Sequence, residues 1–330
     1  MSYDPDPRRL AAWLSLPGNQ RLRLGDDDYP PLLARIAAPP PVLYVRGDPA
    51  VLWRAQVAVV GSRRASPGGL ATARDFSLAL AGAGLAITSG LPSGIDAAAH
   101  AAALEAGAPT VAVCATGLDQ VYPPRHRELA VRIAASGALV SEFPPGTAAR
   151  APHFPQRNRL IAGLSLGTLV VEAGLRSGSL ITARLAAEQG REVYAIPGSI
   201  HHPLARGCHR LIRDGARLVE DVAEVLEGLG PLARALGADI AARLAQPDAG
   251  PAATATAPPE SDPARARLRA ALGHDPLPVD TLVLRTGLTA ATVSSILSLL
   301  EIDGEVAAYP GGRYAIVASP GRGEAGCGPR

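Results

Sequence analysis

Short apolar runs alternate with longer segments rich in Ala and Leu between residues 56 and 230. The short runs carry Val, Ile and Thr and end at Gly, Ser or Pro, which is typical of buried strands. The longer segments between them are typical of helices. The predicted strands are 57–60, 86–88, 110–113, 139–141, 168–172, 192–196 and 217–219, and the predicted helices include 69–83, 96–106, 180–189 and 221–226.

This alternation of strand and helix predicts the α/β class. Strands that are apolar throughout are covered on both faces, and strands that alternate with helices pair in parallel. The sequence therefore predicts a doubly wound parallel sheet with helices on both faces over residues 56–230.

The flanking segments have a different pattern. Residues 1–55 are rich in Pro and predicted to be an irregular lead-in, with one short helix near 9–16. Residues 231–263 are rich in Ala, Pro and Thr, which predicts a flexible linker. Residues 264–318 follow the pattern of a winged helix: three helices (264–272, 278–286 and 289–302) and a hairpin (306–309 and 313–317). Residues 319–330 are predicted to be a disordered tail.

Composition limits the classes of function. A hydrophobic content of 47% and a charged content of 19% indicate a soluble globular protein. The net charge is only +2, so any site for a polyanion must be a local patch. All 32 basic residues are arginines, so phosphate contacts must come from Arg, backbone N–H groups or hydroxyls.

The cysteines indicate the compartment and argue against a metal site. Cys114, Cys208 and Cys327 are scattered, and their spacing to other residues does not match a zinc site. A sparse, odd number of cysteines fits a reducing cytoplasm. No apolar run approaches the length of a membrane span, so we expect a cytoplasmic protein with no membrane contact and no metal.

Small polar residues follow four of the predicted strands. The segments are Gly61-Ser62-Arg63-Arg64, Ser89-Gly90, Thr116-Gly117 and Arg176-Ser177-Gly178-Ser179. The carboxyl ends of parallel strands meet at one edge of a sheet, where free N–H groups and helix dipoles attract anions. We call these four segments the anion ridge. A ridge of this kind suits an extended phosphodiester better than a single mononucleotide.

A basic cluster is predicted to reach the same edge. Arg157, Asn158 and Arg159 stand just before the apolar run that leads into strand 168–172, and arginine pairs well with phosphate. Phe154 precedes this cluster and is a candidate for stacking on a base, with a role in the core equally open.

Motifs for common cofactors are missing. Neither G-x-G-x-x-G nor G-x-x-x-x-G-K-[ST] follows the first strand, which argues against NAD and P-loop ATP binding, and no cofactor is expected. Asp96 and His100 could form an acid/base pair, but we prefer a helix N-cap for Asp96 and a packed role for His100. For Glu172 we prefer the ordering of nearby loops over catalysis. The pair His201-His202 is interpreted as a solvated turn.

The third helix of the winged helix, residues 289–302, contains no arginine, and its end is acidic. A helix that recognises bases normally exposes Arg, Asn or Gln. A contact with protein, or a regulatory role, is therefore favoured over base recognition.

Ordered motifs over residues 29–227 closely resemble the DNA-processing protein A (DprA/Smf) family. They are VAVVGSRRASPGG, SGLPSGIDAAAHAAAL, VAVCATGLDQVYPPRH, LVSEFPPG, FPQRNRLIAGLS, LVVEAGLRSGSLITA and VYAIPG. The resemblance implies an extended Rossmann-like core that binds single-stranded DNA, forms a homodimer and has no known catalytic activity. It also implies protection of incoming DNA and loading of the RecA recombinase during natural transformation. By motif, it assigns phosphate contacts to Gly61, Ser62, Arg63, Ser89, Gly90, Gly117, Arg157, Asn158, Arg159, Ser177, Gly178 and Ser179.

Two features depart from the family pattern. Pro92-Ser93 replaces a pair that often includes arginine, and the segment before Tyr29 is too short for the helical domain with which many members begin.

Two rival functions stay open. Gly167-Thr168 and Glu172 loosely resemble a motif of nucleoside-monophosphate phosphoribohydrolases of the lysine-decarboxylase-like family, in which Glu172 would be catalytic and Arg157 would bind the 5′-phosphate. The chain could also be an interaction scaffold in which the winged helix is the active part.

Overall fold

The computed structural model describes residues 6–244, 263–272, 277–302, 306–309 and 313–316, and the chain divides into two units, Met1–Pro247 and Asp248–Arg330. The elements of the first unit are α1 (Pro7–Leu14), β1 (Asn19–Arg23), α2 (Pro31–Ala34), β2 (Val42–Gly47), β3 (Gln56–Val60), α3 (Pro67–Gly82), β4 (Ala86–Ser89), α4 (Ile95–Glu105), β5 (Thr110–Val113), α5 (Arg127–Ser136), β6 (Ala138–Ser141), α6 (His153–Leu164), β7 (Gly167–Val170), α7 (Ser179–Glu188), β8 (Glu192–Ala195), α8 (Arg206–Arg213), β9 (Arg217–Leu218) and α9 (Val222–Leu244). Short 3₁₀ turns lie at Pro49–Trp53 and Pro124–His126.

The sheet of the first unit has the order β1-β2-β6-β5-β4-β3-β7-β8-β9. Strands β3 to β9 pair in parallel, which confirms the predicted α/β class and doubly wound sheet. From β3 the chain first builds outwards through β4, β5 and β6, and then returns to build β7, β8 and β9 on the other side. This reversal opens a crevice between the carboxyl ends of β3 and β7, the usual ligand position of such sheets.

Strand β3 shows why helices cover both faces. All five of its residues are buried. Val57 and Val59 belong to one hydrophobic cluster, while Ala58 and Val60 belong to the other. Since successive side chains of a strand point to opposite faces, the two clusters are the two faces of the sheet.

The prediction of an irregular segment over residues 1–55 is wrong in part. Strands β1 and β2 extend the sheet, with β1 antiparallel to β2 and β2 antiparallel to β6. The prolines at 39–41 concealed β2, whose Leu43, Tyr44 and Val45 are all buried. The predicted helix near 9–16 exists as α1.

No bounds were predicted for α5, α6 and α8, and α9 runs further than expected. It continues through Pro231, where the linker was expected to begin, to Leu244. The reason is that Leu229 and Leu236 on this helix are buried in the hydrophobic cluster that also contains Val57. Residues 245–262 of the expected linker and the expected tail from residue 319 lie outside the described residues.

The second unit contains α10 (Pro263–Ala271), β10 (Leu277–Pro278), α11 (Val279–Thr286), α12 (Ala290–Ile302), β11 (Val306–Tyr309) and β12 (Arg313–Ile316). Its strands form a sheet in the order β10-β12-β11. Gly287, with φ of 68°, ends α11 in the left-handed conformation that glycine adopts without strain. Leu268, Leu282 and Leu297 share one core, and the arrangement is the predicted winged helix.

None of the described helices is both long enough and apolar enough to cross a membrane.

Candidate nucleic-acid interface

The anion ridge lies on one edge of the sheet. Its four segments follow β3, β4, β5 and β7, and these strands are consecutive in the sheet as β5-β4-β3-β7. The structure therefore brings the four segments together at the carboxyl edge. The binding of phosphate by them stays a prediction, and the surroundings of each residue decide which of them could reach a ligand.

Glu172 follows β7, and its carboxylate accepts hydrogen bonds at the start of α3. The backbone N–H of Ser66 donates to its Oε2 at 2.9 Å, and the Ser66 hydroxyl donates to its Oε1 at 2.6 Å. A Cβ on Gly69 would overlap this carboxylate, so any larger residue there would have to displace the Glu172 side chain. The N–H of Ser62 donates to the main-chain oxygen of Glu172 at 2.7 Å.

The positive end of α3 is therefore already occupied by a carboxylate of the protein itself. An external phosphate cannot take that position, which is the usual phosphate site of the fold. The geometry supports the preferred ordering role of Glu172, because its two carboxylate oxygens accept hydrogen bonds from the loop that carries Arg63 and Arg64. The side chains of these two arginines remain exposed.

Ser89 and Gly90 are buried below the edge. The Ser89 hydroxyl donates to the oxygen of Val59 at 2.6 Å, and the Gly90 N–H donates to Oδ2 of Asp96 at 3.1 Å. The oxygen of Gly90 lies 2.5 Å from Nε2 of His100. Ser89 and Gly90 thus lie below the surface of the edge, and their polar groups form hydrogen bonds within the protein.

The expectation that Asp96 is the N-cap of its helix is wrong. Gly94, with φ of 87°, precedes α4, and Asp96 lies in the first turn with its carboxylate directed at the neighbouring loops. The expected packed role of His100 is what the structure shows, since Nδ1 lies 2.7 Å from the Thr110 hydroxyl. Burial lowers the pKa of His100 to about 4, so the ring is neutral near pH 7.

Arg157 lies beneath the edge rather than on it. Its side chain is buried, and Nη1 donates to the oxygen of Val113 at 2.5 Å. A Cβ on Gly90 would lie 2.5 Å from that Nη1 and 2.8 Å from Oδ2 of Asp96, so Gly90 separates the two charges. Burial raises the pKa of Asp96, and the charge of Arg157 opposes that rise. Arg157 thus contributes positive charge to the floor of the site.

Asn158 and Arg159 hold other loops in place. Nδ2 of Asn158 donates to the oxygen of Gly178 at 3.3 Å, which fixes the segment between β7 and α7. Arg159 donates to both carboxylate oxygens of Glu142, at 2.5 and 2.7 Å, and to the oxygen of Ala38 at 3.0 Å. These donors are therefore not free to meet a ligand.

Gly117 and the serines before α7 are also engaged. The N–H of Gly117 donates to the oxygen of Thr147 at 2.9 Å, which ties the connection after β5 to the one after β6. The hydroxyls of Ser177 and Ser179 lie 2.7 Å apart at the start of α7. Gly178 is exposed between them, so this segment remains open to an anion.

A cavity of about 120 Å³ opens at the edge beside β4 and β5. Phe154 is half-buried on its rim, with its ring centroid 5.6 Å from that of Tyr122. The guanidinium of Arg63 lies 5.4 Å from the Phe154 centroid, in cation–π range. Arg125 donates to the hydroxyl of Ser93 on the same rim. Aromatic rings beside arginines are the combination that binds a base and its phosphate together.

Sequence reasoning singled out Phe154 but missed Tyr122 and Arg125. These two residues stand far along the connection from β5 to α5, nine and twelve residues after Val113. The aromatic–proline–arginine run in that connection was the available signal.

Exposed arginines line the whole carboxyl edge. They occur in the connections after β3, β5, β6, β7 and β8, and are Arg63, Arg64, Arg125, Arg150, Arg176 and Arg206. Among the described residues, none of these six has an ion-pair partner.

The acidic residues of the same connections are already engaged. Asp119 pairs with Arg9 at 2.7 Å, Glu142 pairs with Arg159 at 2.5 Å, and Glu172 holds Ser66. The edge therefore presents positive charge that its own carboxylates do not neutralise, although the net charge of the chain is only +2.

Comparison with known proteins shows which family the chain resembles. A family model described as DNA recombination-mediator protein A matches residues 20–230, and one described as DprA winged helix domain matches residues 251–312. The chain is 43% identical over 308 residues to Protein Smf of Escherichia coli (strain K12), covering 91% of this chain and 78% of that protein.

Two solved structures have the same fold. The X-ray structure of DNA processing protein A from Streptococcus pneumoniae matches with a TM-score of 0.63 and 43% identity, over 67% of this chain and 77% of that chain. A structure of DNA processing protein A from Helicobacter pylori, described for its single-stranded DNA binding mode, matches with a TM-score of 0.58 and 26% identity, over 66% and 96% of the two chains.

Proposed function

The chain belongs to the DNA recombination-mediator protein A (DprA/Smf) family, and from this premise we propose that it binds single-stranded DNA along the carboxyl edge of its sheet. The observation that carries the proposal is the row of six exposed arginines on that edge, beside an aromatic pair and with every neighbouring carboxylate engaged. The relative from Helicobacter pylori, whose structure is described for single-stranded DNA binding, supports it.

The side chains that contact the DNA are not the ones that stabilise the structure of the edge. Arg63 and Arg125 contact phosphates, while Phe154 and Tyr122 take a base against their rings. Gly178, with the flanking serines, accepts a further phosphate at the start of α7. The buried or engaged residues beneath them, including Arg157 and Arg159, support this surface.

Binding of this kind has little sequence preference. Contacts with phosphates and the faces of bases do not distinguish one base from another, and the release of counterions makes affinity fall steeply with salt. A protein of this type coats and protects a strand of any sequence, as a recombination mediator must.

We further propose that the protein forms a homodimer and loads the RecA recombinase on the bound strand during natural transformation. The homodimer is supported by the far edge of the sheet. Strand β9 pairs only with β8 among the described strands, and its Leu218 is 41% exposed. An unpaired edge with an apolar side chain suits a symmetric contact between two copies.

The geometry does not favour the phosphoribohydrolase alternative. The carboxylate of Glu172, which would be catalytic, is bound to Ser66, and Arg157, which would bind the 5′-phosphate, is buried against Val113. For the winged helix we propose contact with a protein or a regulatory role.

Fluorescence anisotropy with labelled oligo-dT and the matching duplex, over a salt series, tests the proposal. We expect salt-sensitive binding that favours the single strand and is weakened by Arg63→Ala and by Phe154→Ala. Arg74→Ala is the matched control, because Arg74 is exposed on α3 but paired with Glu105 at 2.6 Å. Failure of the wild-type protein to bind at low salt would overturn the proposal.

A further inference from the structure

We propose that the single strand continues past Arg63 onto a second contact zone, formed by Leu175, Arg176, Ile200 and Arg206. This β7–β8 zone lies on the connections after β7 and β8. The inference rests on the proposed function and extends it, because the family motifs assign no phosphate contact to these four residues and none of them lines the cavity beside Phe154.

Two tight turns present the zone to solvent. The N–H of Ser177 donates to the oxygen of Gly174 at 2.9 Å, which places Leu175 and Arg176 at the corners of a β-turn. The N–H of His202 donates to the oxygen of Ser199 at 2.9 Å, and Ile200 is at a corner of that second turn. Each turn thus puts one large apolar side chain at its tip.

Backbone hydrogen bonds join the two connections. The N–H of Ala173 donates to the oxygen of Leu204 at 2.7 Å, and the N–H of Gly207 donates to the oxygen of Ala173 at 2.7 Å. A Cβ on Gly207 would overlap that oxygen, so glycine allows this close approach. Arg206 therefore starts α8 directly beside the connection that carries Arg176, and the zone is formed before any ligand arrives.

Glu172 lies between the zone and the Arg63 loop. Its carboxylate accepts two hydrogen bonds from Ser66, as described above, and its Oε1 lies 3.9 Å from Nδ1 of His202 on the connection after β8. Strands β3, β7 and β8 are neighbours in the sheet, so the connections that follow them lie side by side on the same edge. A strand bound at Arg63 would reach the β7–β8 zone by following this edge.

The charges of the zone favour a polyanion. Arg176 and Arg206 are exposed, and neither has an ion-pair partner among the described residues. Glu172 is the one acidic residue in the two connections, and its side chain is only 12% exposed. Helix α7 also starts here, with its positive end towards the zone.

The apolar side chains of the zone fit the bases of the same strand. Leu175 is 48% exposed and Ile200 is 75% exposed, the highest value among the large hydrophobic residues described in the first unit. Bases of a single strand offer apolar faces at the spacing of its phosphates, and they would cover these two side chains.

The dimensions of the sheet set the length of DNA involved. Strands β3, β7 and β8 are neighbours, and two strand spacings amount to about 10 Å. A nucleotide in a duplex strand advances about 3.4 Å, and a stretched single strand advances up to about twice that distance. The zone therefore adds about two nucleotides to the length that the protein covers.

A length series of oligo-dT, from about 4 to about 16 nucleotides, tests the zone by fluorescence anisotropy. We expect the double variant Arg176→Ser/Arg206→Ser to bind the shortest oligonucleotides like the wild type. We expect it to bind the longer ones about tenfold more weakly, with a salt slope lower by about 1.4, since each phosphate contact on a single strand contributes about 0.7. Ile200→Ser should weaken the binding of long oligonucleotides without a change in salt slope.

The matched control is Arg184→Ser/Arg210→Ser. Arg184 lies on α7 and Arg210 on α8, and both are exposed, but they form i,i+4 ion pairs with Glu188 and Asp214. The control should bind every length like the wild type. Loss of affinity at the shortest lengths as well, or an unchanged salt slope at the longest, would overturn the inference. Either result leaves the proposed function standing, because that depends on the Arg63 and Phe154 variants.

Discussion

Glu172 and Ser66, which are 106 positions apart in the chain, are joined by two hydrogen bonds. The carboxylate at the end of β7 accepts from the backbone N–H and from the hydroxyl of the residue that caps α3. A fold that usually holds a phosphate at the start of this helix holds an acidic side chain of its own instead. In the proposed function, phosphates of the DNA therefore meet the exposed arginines at the rim and not the start of α3.

The hydrogen bonds between Glu172 and Ser66 should be essential for the stability of the fold. Glu172→Ala leaves the Ser66 N–H without its acceptor, and we expect it to lower the free energy of unfolding by about 2 kcal/mol, the usual loss for hydrogen bonds to a charged group. Urea denaturation measures this change. Glu188→Ala is the control, since Glu188 pairs at the surface with Arg184, and it should cost less than about 0.5 kcal/mol. Equal losses in both variants would contradict the assigned role.

Gly90 should tolerate no side chain. In Gly90→Ala the new Cβ would crowd both Nη1 of Arg157 and Oδ2 of Asp96, and we expect a loss of about 1–3 kcal/mol in the free energy of unfolding. Gly178→Ala is the matched control, because Gly178 has φ of −63° and nothing within 4 Å of a Cβ. Thermal unfolding should show the first variant destabilised and the second unchanged or slightly more stable.

The fold was largely predictable because local composition and tertiary packing agree in the parallel strands. The predicted bounds of β3 to β6 differ from the observed ones by one residue at most. Where local composition and tertiary packing disagree, the prediction failed. Prolines concealed β2, and the polar run Arg157–Arg159 concealed α6, although His153, Arg157, Leu160, Ile161 and Leu164 are buried at helical spacing.

The candidate site was predictable only in position. That the strand ends converge follows from the rule for parallel sheets, and it placed the edge correctly. The roles of single residues depended on partners that are distant in sequence. Nothing near Arg159 indicates that Glu142 binds it, and nothing near Arg157 indicates that Gly90 and Asp96 surround it. The sequence could therefore not separate the arginines that are exposed from those that are buried or paired.

Stability should fall in mild acid because of His100. Its pKa in the folded protein is about 4, below the ordinary value of about 6.5, so the unfolded chain binds the proton first as the pH falls. The free energy of unfolding should decrease as the pH drops from about 6.5 to about 4, by at most about 3 kcal/mol.

Comparison with His100→Gln isolates this contribution. Arg157 and His126 also lie near His100 and lower its pKa, and neither is changed in the variant. Asp96 has the opposite effect on the pH dependence, because its raised pKa lets the folded protein bind a proton first. Urea denaturation at several pH values should show a weaker pH dependence for His100→Gln. Identical slopes for both proteins would show that burial does not lower the pKa of His100.

Arg63 and Arg159 should differ in what they contribute, although the same motifs assign both to phosphate. Arg63 is exposed, and its guanidinium lies over Phe154. Arg63→Ala should therefore leave the free energy of unfolding unchanged and lower the salt slope of binding to oligo-dT by about 0.7. Arg159 is 18% exposed and bound to Glu142, which is 9% exposed. Arg159→Ala should lower the free energy of unfolding by about 1–3 kcal/mol, because a largely buried carboxylate loses its partner.

The salt dependence of oligo-dT binding distinguishes an arginine that only stabilises the site from one that contacts a phosphate. If Arg159 acts only through Glu142, Arg159→Ala keeps the wild-type slope even where its affinity for oligo-dT falls, since no phosphate contact is removed. The double variant Arg159→Ala/Glu142→Ala should recover part of the lost stability, because it no longer leaves an unpaired carboxylate. A slope lowered by about 0.7 in Arg159→Ala would show instead that Arg159 releases Glu142 to bind DNA. In that case both arginines contact the strand.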